Sequence, residues 1–326
     1  MKSKLLIAVP SALIIICGAL MFWYNYEPPV FDPVERARLH AQVHGHANVT
    51  GTTTTSALIE VVNELLQKRG GYISNDIMPP WILLDNVPNW EFGALTQVRD
   101  LARTMRNDFS RSQTQSTEDP DLSEADPLFH YANDRWLIPA TEGKYEEAMQ
   151  YLESYLLRLS DPNQPSAQFY ARADNLSEWL GLVEKRLGSL SQRLSASVGQ
   201  QRLNTDLAGD SAARQSTATA ADLEVKTPWL EIDDVFYESR GSTWALIHFL
   251  KAMEQDFHDV LRKKNALISF RQIIRELEST QESLHSPMVL NGNKFGMFSN
   301  HSLVMANYIS RANAAIIDLR ILLQQG

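Results

Sequence analysis

The chain has 326 residues, of which 44% are hydrophobic and 21% charged, so it can bury a large core and is too apolar to be disordered throughout. Asp and Glu outnumber Lys and Arg by 39 to 30, a formal net charge of −9, and a chain of this charge repels phosphate backbones. We therefore expect no nucleic-acid partner. A single cysteine excludes a disulfide framework and a Cys-based metal centre.

The first predicted element is an apolar segment with a basic start. Lys2 and Lys4 precede the uncharged residues 5–24, about the length that an α-helix needs to cross the ~30 Å hydrocarbon core of a bilayer. Aromatic residues such as Trp23 follow at its end, where a helix leaves a membrane. Because positive residues stay on the cytoplasmic side, residues 1–24 are predicted to be a cytoplasmic stub and inner-membrane anchor, with the rest of the chain periplasmic. A cleaved signal peptide is the alternative.

Residues 25–55 are predicted to be a juxtamembrane stalk. Three prolines favour extended backbone, which would hold the next element away from the membrane. His40 and His44, at positions i and i+4, share a helix face, and with His46 they are the candidate metal ligands. Gly45 weakens such a helix, and histidines in a stalk are commonly solvated. The sequence therefore predicts no metal and no other cofactor.

Residues 56–198 are predicted to form the first part of a helical domain. Residues 56–68 carry apolar side chains at helical spacing, with Ser56 as N-cap and two glycines as the stop. Two loops rich in turn formers and aromatic residues follow at 71–81 and 85–93. Further helices are predicted at 91–110, 126–136 and 141–159.

The strongest periodic signal predicts two long coiled-coil-like helices. Over residues 169–194, apolar side chains recur with a period of about 3.5, which keeps one seam facing a partner helix. A second run, over residues 246–284, has the same spacing and is interrupted at Lys263 and Lys264. The two helices pair either antiparallel within one chain or between chains, and the sequence leaves both arrangements open. It also leaves open whether residues 242–285 form one helix or two.

The segment between these runs is predicted to be a flexible linker. Residues 199–226 are polar and lack an apolar period, so the entropy lost on ordering them is poorly offset. Residues 227–326 are the predicted second part of the helical domain and end in a helix that begins near Asn300. Gly181 and Gly188, beside the first seam, predict a close approach by another helix.

The aromatic loops hold the candidate catalytic and binding residues. A glycan hydrolase needs two carboxyl groups across a sugar and aromatic platforms for its ring. Acidic residues beside turns more often cap helices or bond the backbone, so the structural interpretation is favoured. The candidate catalytic residues are Asp76, Asp85 and Glu91, and the candidate binding residues are Trp81, Trp90 and Tyr72.

A further polar group lies at the start of the second run. Asp233, Asp234, Arg240 and His248 lie near Trp244 in the sequence and provide the side chains of a polar site. Charged residues beside an apolar helical stripe are more often a solvated face or a buried pair. We therefore expect a structural role for them.

Four strings in the chain resemble those of a family of uncharacterised gammaproteobacterial envelope proteins, a domain of unknown function. The resemblance extends over nearly the whole chain and implies a single N-terminal span followed by an exported, mainly helical body. It implies no activity, cofactor or catalytic residue. The strings are GGYISNDIMPP, DNVPNWEFG, RNDFSRSQTQS and NHSLVMANYISRANAAIIDLR.

The sequence thus predicts an all-α protein, with an N-terminal transmembrane helix followed by a periplasmic helical bundle. It favours a binding or scaffolding protein of the bacterial cell envelope over an enzyme. The alternative is an envelope glycan or peptidoglycan hydrolase that uses the loop carboxylates. The expected partners are the lipid bilayer, through residues 5–24, and a protein or a second copy of the chain, through the helical seams.

Overall fold

The computed structural model describes residues 2–45, 47–112, 117–163, 166–203, 222–286, 288–293 and 297–325. Over these residues the chain is all-α apart from one two-stranded antiparallel sheet, which confirms the all-α part of the prediction. The sheet pairs β1 (Gln200–Leu203) with β2 (Asp222–Val225). The helices are α1 (Lys2–Tyr24), α2 (Pro33–His44), α3 (Thr52–Gln67), α4 (Asn86–Thr104), α5 (Pro120–Phe129), α6 (Thr141–Ser160), α7 (Ala173–Ser195), α8 (Ile232–Asp256), α9 (His258–Lys263), α10 (Leu267–Glu278) and α11 (His301–Gln324).

Helix α1 is continuous from Lys2 to Tyr24 and includes Pro10. Among the residues that the structure describes, no helix combines the length and the apolar content that crossing a membrane requires. The membrane span predicted for residues 5–24 therefore stays a prediction.

Helix α3 lies in the middle of the body and is capped from a distant part of the chain. Its N-cap residue, Gly51, has no side chain to accept a hydrogen bond. The carboxylate of Asp256, at the end of α8, instead accepts hydrogen bonds of 2.7 Å from the backbone N–H and the hydroxyl of Thr54. An anion at a helix N-terminus is favoured by the helix dipole, so this contact fixes the start of α3 against the end of α8.

Helices α4 and α8 form the tightest helix pair in the body. Asn89 bonds Asp234 and Gln97 bonds Ser242, and both pairs are separated by 145 residues, so the helices run in the same direction. At Gly241 an added Cβ would lie 1.8 Å from the carbonyl oxygen of Trp90. A corresponding Cβ at Gly93 would lie 2.0 Å from the carbonyl oxygen of Glu238. The two backbones approach so closely that only glycine fits at these positions.

The predicted seam on α7 is buried, and its partner is α11. Ser177 contacts Gln324 and Ser191 contacts Ser310, so the two helices are antiparallel within one chain. A Cβ at Gly181 would lie 3.0 Å from the guanidinium of Arg320, so this glycine does accommodate a close approach. The buried seam residues on α7 are Leu176, Leu180, Val183, Leu187, Leu190 and Leu194.

The second predicted run is not one long helix. The chain leaves helical geometry at Phe257 and again at Asn265, which has a left-handed φ of 53°. After this turn α10 folds back along α8, and Arg271 forms an ion pair of 2.7 Å with Glu254. The run therefore forms a helical hairpin of its own, and the main partner of the α7 seam is α11 instead of this run.

Other boundaries also differ from the sequence prediction. The helix predicted at 126–136 is α5, which begins at Pro120 because Asp119 caps its first turn. The ends of the predicted linker 199–226 pair as β1 and β2, while residues 204–221 lie outside the described residues. The predicted stalk 25–55 contains α2, which packs on α3 through ion pairs of 2.8 Å from Arg36 to Glu60 and Glu64.

Replacing Gly241 with Ala should destabilise the fold. The new methyl would collide with the backbone of α4, which costs about 1–3 kcal/mol and outweighs the ~1 kcal/mol that Ala adds to helix propensity. Gly143→Ala is the control, because a Cβ there meets nothing within 4 Å. Urea unfolding of the full chain in detergent measures both variants. Equal stability of Gly241→Ala and wild type would contradict the close approach of α4 and α8.

Candidate functional site

The connection between α1 and α2, residues 25–32, lies against α8; we call it the strap. The guanidinium of Arg240 donates from Nε to both carboxylate oxygens of Glu27, at 3.0 and 2.8 Å. Its Nη1 donates to the carbonyl oxygens of Thr280 and Glu282. Arg240 is nearly buried, so these charge-assisted hydrogen bonds replace the water that it would otherwise bind.

His248 is the second contact of the strap. Its Nε2 accepts a 3.0 Å hydrogen bond from the backbone N–H of Phe31, which leaves Nδ1 to donate to the carbonyl oxygen of Trp244 at 2.7 Å. The ring of Phe31 stacks on the imidazole with 3.9 Å between centroids. Burial is the main cause that lowers the pKa of His248 to about 3, so the ring is neutral at physiological pH. The indole of Trp244 adds a 3.3 Å hydrogen bond to the carbonyl oxygen of Pro29.

The end of α1 is also held by aromatic contacts. The guanidinium of Arg69, just after α3, lies 4.8 Å from the ring of Trp23 and 4.0 Å from that of Tyr26. The ring of Tyr24 lies 5.8 Å from that of Trp81. The first residues of the predicted stalk therefore lie against the body and fix the end of α1 to it.

Glu91, a candidate catalytic carboxylate, lies inside the body. It forms an ion pair with Lys68, and the side chains of both residues have zero exposure. The carboxylate also accepts hydrogen bonds from the backbone N–H groups of Ile73 and Ser74, at 2.9 and 2.8 Å. These bonds order the loop after α3, and a carboxylate in this position does not contact a dissolved substrate.

The other two candidate carboxylates lie on the surface. Asp85 caps the start of α4 and accepts a 2.9 Å hydrogen bond from the N–H of Asn86. Asp76 is largely exposed. Its pKa is raised, mainly because neighbouring atoms remove part of its water and secondarily because the charges of Glu142 and Glu91 repel its own. The structure thus gives Asp85 and Glu91 structural partners and does not bring the three carboxylates together at one open site.

The candidate aromatic residues are divided between core and surface. Trp90 is buried between α4 and α8, with its ring 4.9 Å from that of Trp244. Tyr72 is also buried, edge-on to Tyr145, and desolvation is the main cause that raises its pKa well above its usual value. Trp81 is partly exposed beside Tyr24. Of the three, Trp81 alone is placed to contact another molecule.

The structure does not bring the candidate metal ligands together among the residues that it describes. His40 lies on α2 and is partly buried. His44 is the last residue of α2, and His46 lies outside the described residues. Within the described part of the chain, no group of three or more His, Cys, Asp or Glu side chains has the arrangement needed to hold a metal ion.

The strap contacts are the site that sequence reasoning located only in part. Arg240, Trp244 and His248 follow each other at intervals of four, so their side chains share one face of α8, and the sequence already associated them. Their partners were not identifiable, because Glu27 is 213 residues from Arg240 and Phe31 is 217 residues from His248. Arg240 and His248 are thus buried and paired with the strap, whereas Asp234 of the same predicted group accepts a hydrogen bond from Asn89 on α4.

Comparison with known proteins identifies a family. Residues 2–326 match the model of a family described as "Uncharacterized protein conserved in bacteria (DUF2333)". The chain belongs to this family. The match covers nearly the whole chain and confirms the family resemblance of the sequence. No curated protein and no solved structure matches the chain.

The buried His248 predicts a loss of stability in mild acid. In the unfolded chain the imidazole gains a proton below its ordinary pKa of 6.5, whereas in the folded protein it stays neutral down to about pH 3. Stability therefore falls as the pH drops through this window, by about 2 kcal/mol between pH 7 and pH 5 from this group. His248→Gln keeps a neutral acceptor, so its stability should fall by about 2 kcal/mol less than that of wild type over the same range.

The measurement is the free energy of unfolding in urea at pH 7 and pH 5, on the full chain in detergent. His258→Gln removes an exposed histidine and serves as the control, which should keep the wild-type dependence on pH. An unchanged dependence in His248→Gln would contradict the buried, neutral state of His248.

Proposed function

We propose that the protein is a membrane-anchored helical scaffold of the bacterial cell envelope. In this proposal α1 crosses the inner membrane once, and the helical body lies in the periplasm and binds a protein partner. The family supports no more specific statement than that the protein is found in bacteria. The proposal rests on the properties of α1, on its attachment and on the nature of the body.

The observation that carries the proposal is the exposure of α1. Leu13, Ile14, Ile15 and Ile16 are four consecutive residues, and each is between 57% and 72% exposed. Because successive residues are about 100° apart around a helix, these four side chains point in all directions. An apolar helix that is uncovered on every side needs an apolar environment, and a lipid bilayer supplies it.

The direction of insertion is supported by charge. Lys2 and Lys4 precede the apolar stretch, and positive residues next to a span stay on the cytoplasmic side. The body after residue 24 then lies on the other face of the membrane. The strap holds the body directly at the end of α1, so the scaffold has a fixed position at the membrane surface.

A binding role is supported better than a catalytic one. Glu91 is enclosed with Lys68, and Asp85 caps a helix, so neither is free for acid–base chemistry. The seam of α7 is covered by α11, which leaves little of it for association with another chain. We therefore place the protein partner on exposed surfaces of the body.

Membrane anchoring is tested by carbonate extraction of bacterial membranes that contain the full chain. The wild-type protein should stay in the membrane pellet. The double variant Ile14→Asp/Ile15→Asp should be released, because each Asp at the centre of a span costs about 2.5–3.5 kcal/mol on insertion scales. Val43→Asp changes an equally exposed apolar residue on α2 and should stay in the pellet.

Orientation is tested on the same cells by adding protease to intact spheroplasts. The body should be digested, because the proposal places it outside the inner membrane. Wild-type protein in the soluble fraction would contradict the anchor, and a body protected from protease would contradict its periplasmic location.

A further inference from the structure

Two neighbouring loops of the body expose an unusual concentration of large apolar side chains. We call them together the apolar rim: residues 77–83, after α3, and residues 136–138, before α6. Ile82 is 58% exposed and Ile138 is 97% exposed. Clusters of this kind mark surfaces that contact another molecule or a membrane. The other exposed apolar residues of the rim are Ile77, Met78, Leu83, Trp136 and Leu137.

The two loops form one surface because Asn75 connects them. Its side-chain amide donates a 3.0 Å hydrogen bond to the carbonyl oxygen of Arg135 and a 2.7 Å bond to the carboxylate of Glu142. Asn75 is buried, so the connection is shielded from water. The two loops that carry the apolar side chains therefore start from neighbouring points of the body.

The rim lies next to the end of α1. The ring of Tyr24 contacts Trp81 within the rim. It also fits against Gly70, where an added Cβ would lie 2.5 Å from the ring. Because the strap and these contacts fix α1 to the body, a bilayer around α1 would reach the rim.

We infer that the apolar rim inserts into the interfacial layer of the bilayer that holds α1. This inference rests on the proposed membrane anchor. The rim is a second attachment of the body to the membrane, and it sets the tilt of the body relative to the membrane plane. Its ligand is the boundary between headgroups and acyl chains, and it contacts both through apolar and aromatic side chains.

The chemistry of the rim fits a bilayer better than a protein partner. Trp81 and Trp136, together with Trp23 and Tyr26 at the end of α1, are residue types that prefer the membrane–water interface. Arg69, above Trp23 and Tyr26, has the long side chain that extends from apolar surroundings to headgroups. An acidic chain gains little from anionic headgroups, so apolar insertion carries the attachment.

Part of the backbone of the first loop is hydrogen-bonded within the loop itself. The N–H groups of Ile82, Leu83 and Leu84 donate to the carbonyl oxygens of Met78, Pro80 and Trp81 within the same loop, at 3.2, 3.0 and 2.8 Å. Pro79 and Pro80 have no N–H to satisfy. Each donor that is paired within the loop or absent lowers the cost of entering the interfacial layer.

The opposite end of the body provides a matched control. Helix α3 has 16 residues and is therefore about 24 Å long, and it ends beside the tip of α1. Its start is held by Asp256 at the end of α8, and the first turns of α10 pack near the same end, where Arg271 pairs with Glu254. Ile268 on α10 is 81% exposed, as a rim residue is, but lies at the end that points away from α1.

The experiment measures contact of individual positions with lipid in the full chain. Cys17→Ser removes the native cysteine, and single variants Ile15→Cys, Ile82→Cys, Ile138→Cys and Ile268→Cys are labelled with a polarity-sensitive nitrobenzoxadiazole dye. Each protein is reconstituted in phosphatidylcholine vesicles with and without acyl-chain doxyl lipids. We expect a blue shift and quenching at positions 15, 82 and 138, and neither at position 268.

Each outcome has a distinct meaning. Quenching at 15 with no quenching at 82 and 138 would overturn the inference and leave the membrane anchor standing. No quenching at 15 would overturn the proposed anchor, and the inference with it. Quenching at 268 equal to that at 82 would overturn the defined orientation of the body. Normal helical circular dichroism of each variant shows that the labelled protein is folded.

Discussion

The docking of the strap on α8 is the contact on which the arrangement of this protein depends. Without it, α1 would be held to the body only through the aromatic contacts at its end. Glu27 pairs with Arg240 and the N–H of Phe31 bonds His248, so the strap is held at both ends. The ion pair of Arg240 with Glu27 is partly buried and includes several hydrogen bonds, so its geometry is well defined. Together with the aromatic contacts at the end of α1, this docking sets the position of α1 relative to the body.

The close contact between α4 and α8 stabilises the face of α8 on which the strap docks. Because Gly93 and Gly241 let the two backbones touch, Trp90 packs directly on Trp244. This packing orients the indole of Trp244 toward the strap and holds the face of α8 that carries His248. The core of the body and the attachment of α1 are therefore one connected structure. A change that separates α4 from α8 should also weaken the strap.

Sequence periodicity predicted individual helices well and their partners poorly. The seam of α7 was recognisable because its signal is local, whereas its pairing with α11 depends on contacts far apart in the chain. The interruption of the second run at Lys263 and Lys264 marked the place of the turn, but apolar spacing does not reveal that a left-handed residue, Asn265, reverses the chain there. Gly93 and Gly241, which allow the closest helix contact, stood out less than the evenly spaced Gly181 and Gly188.

In the candidate site, too, the sequence indicated the residues but not their partners. The sequence associated Arg240 and His248 with Trp244 because they lie close together in the chain, but their partners in the strap are more than 200 residues away. Glu91 is a residue type that could act in catalysis, but in the structure it forms a buried ion pair with Lys68. The predicted loop 85–93 is the start of α4, so Glu91 lies on a helix, and its burial and pairing cannot be read from the spacing of residues in the sequence.

The account is tested most directly by hydrogen–deuterium exchange at the amide of Phe31, measured on the full chain in lipid nanodiscs. This amide lies outside any helix, and its hydrogen-bond acceptor is His248 on α8. If the strap is docked, the amide exchanges as slowly as amides of the helical core. Exchange at the rate of an unstructured peptide would show that the strap is free and would contradict the fixed position of α1.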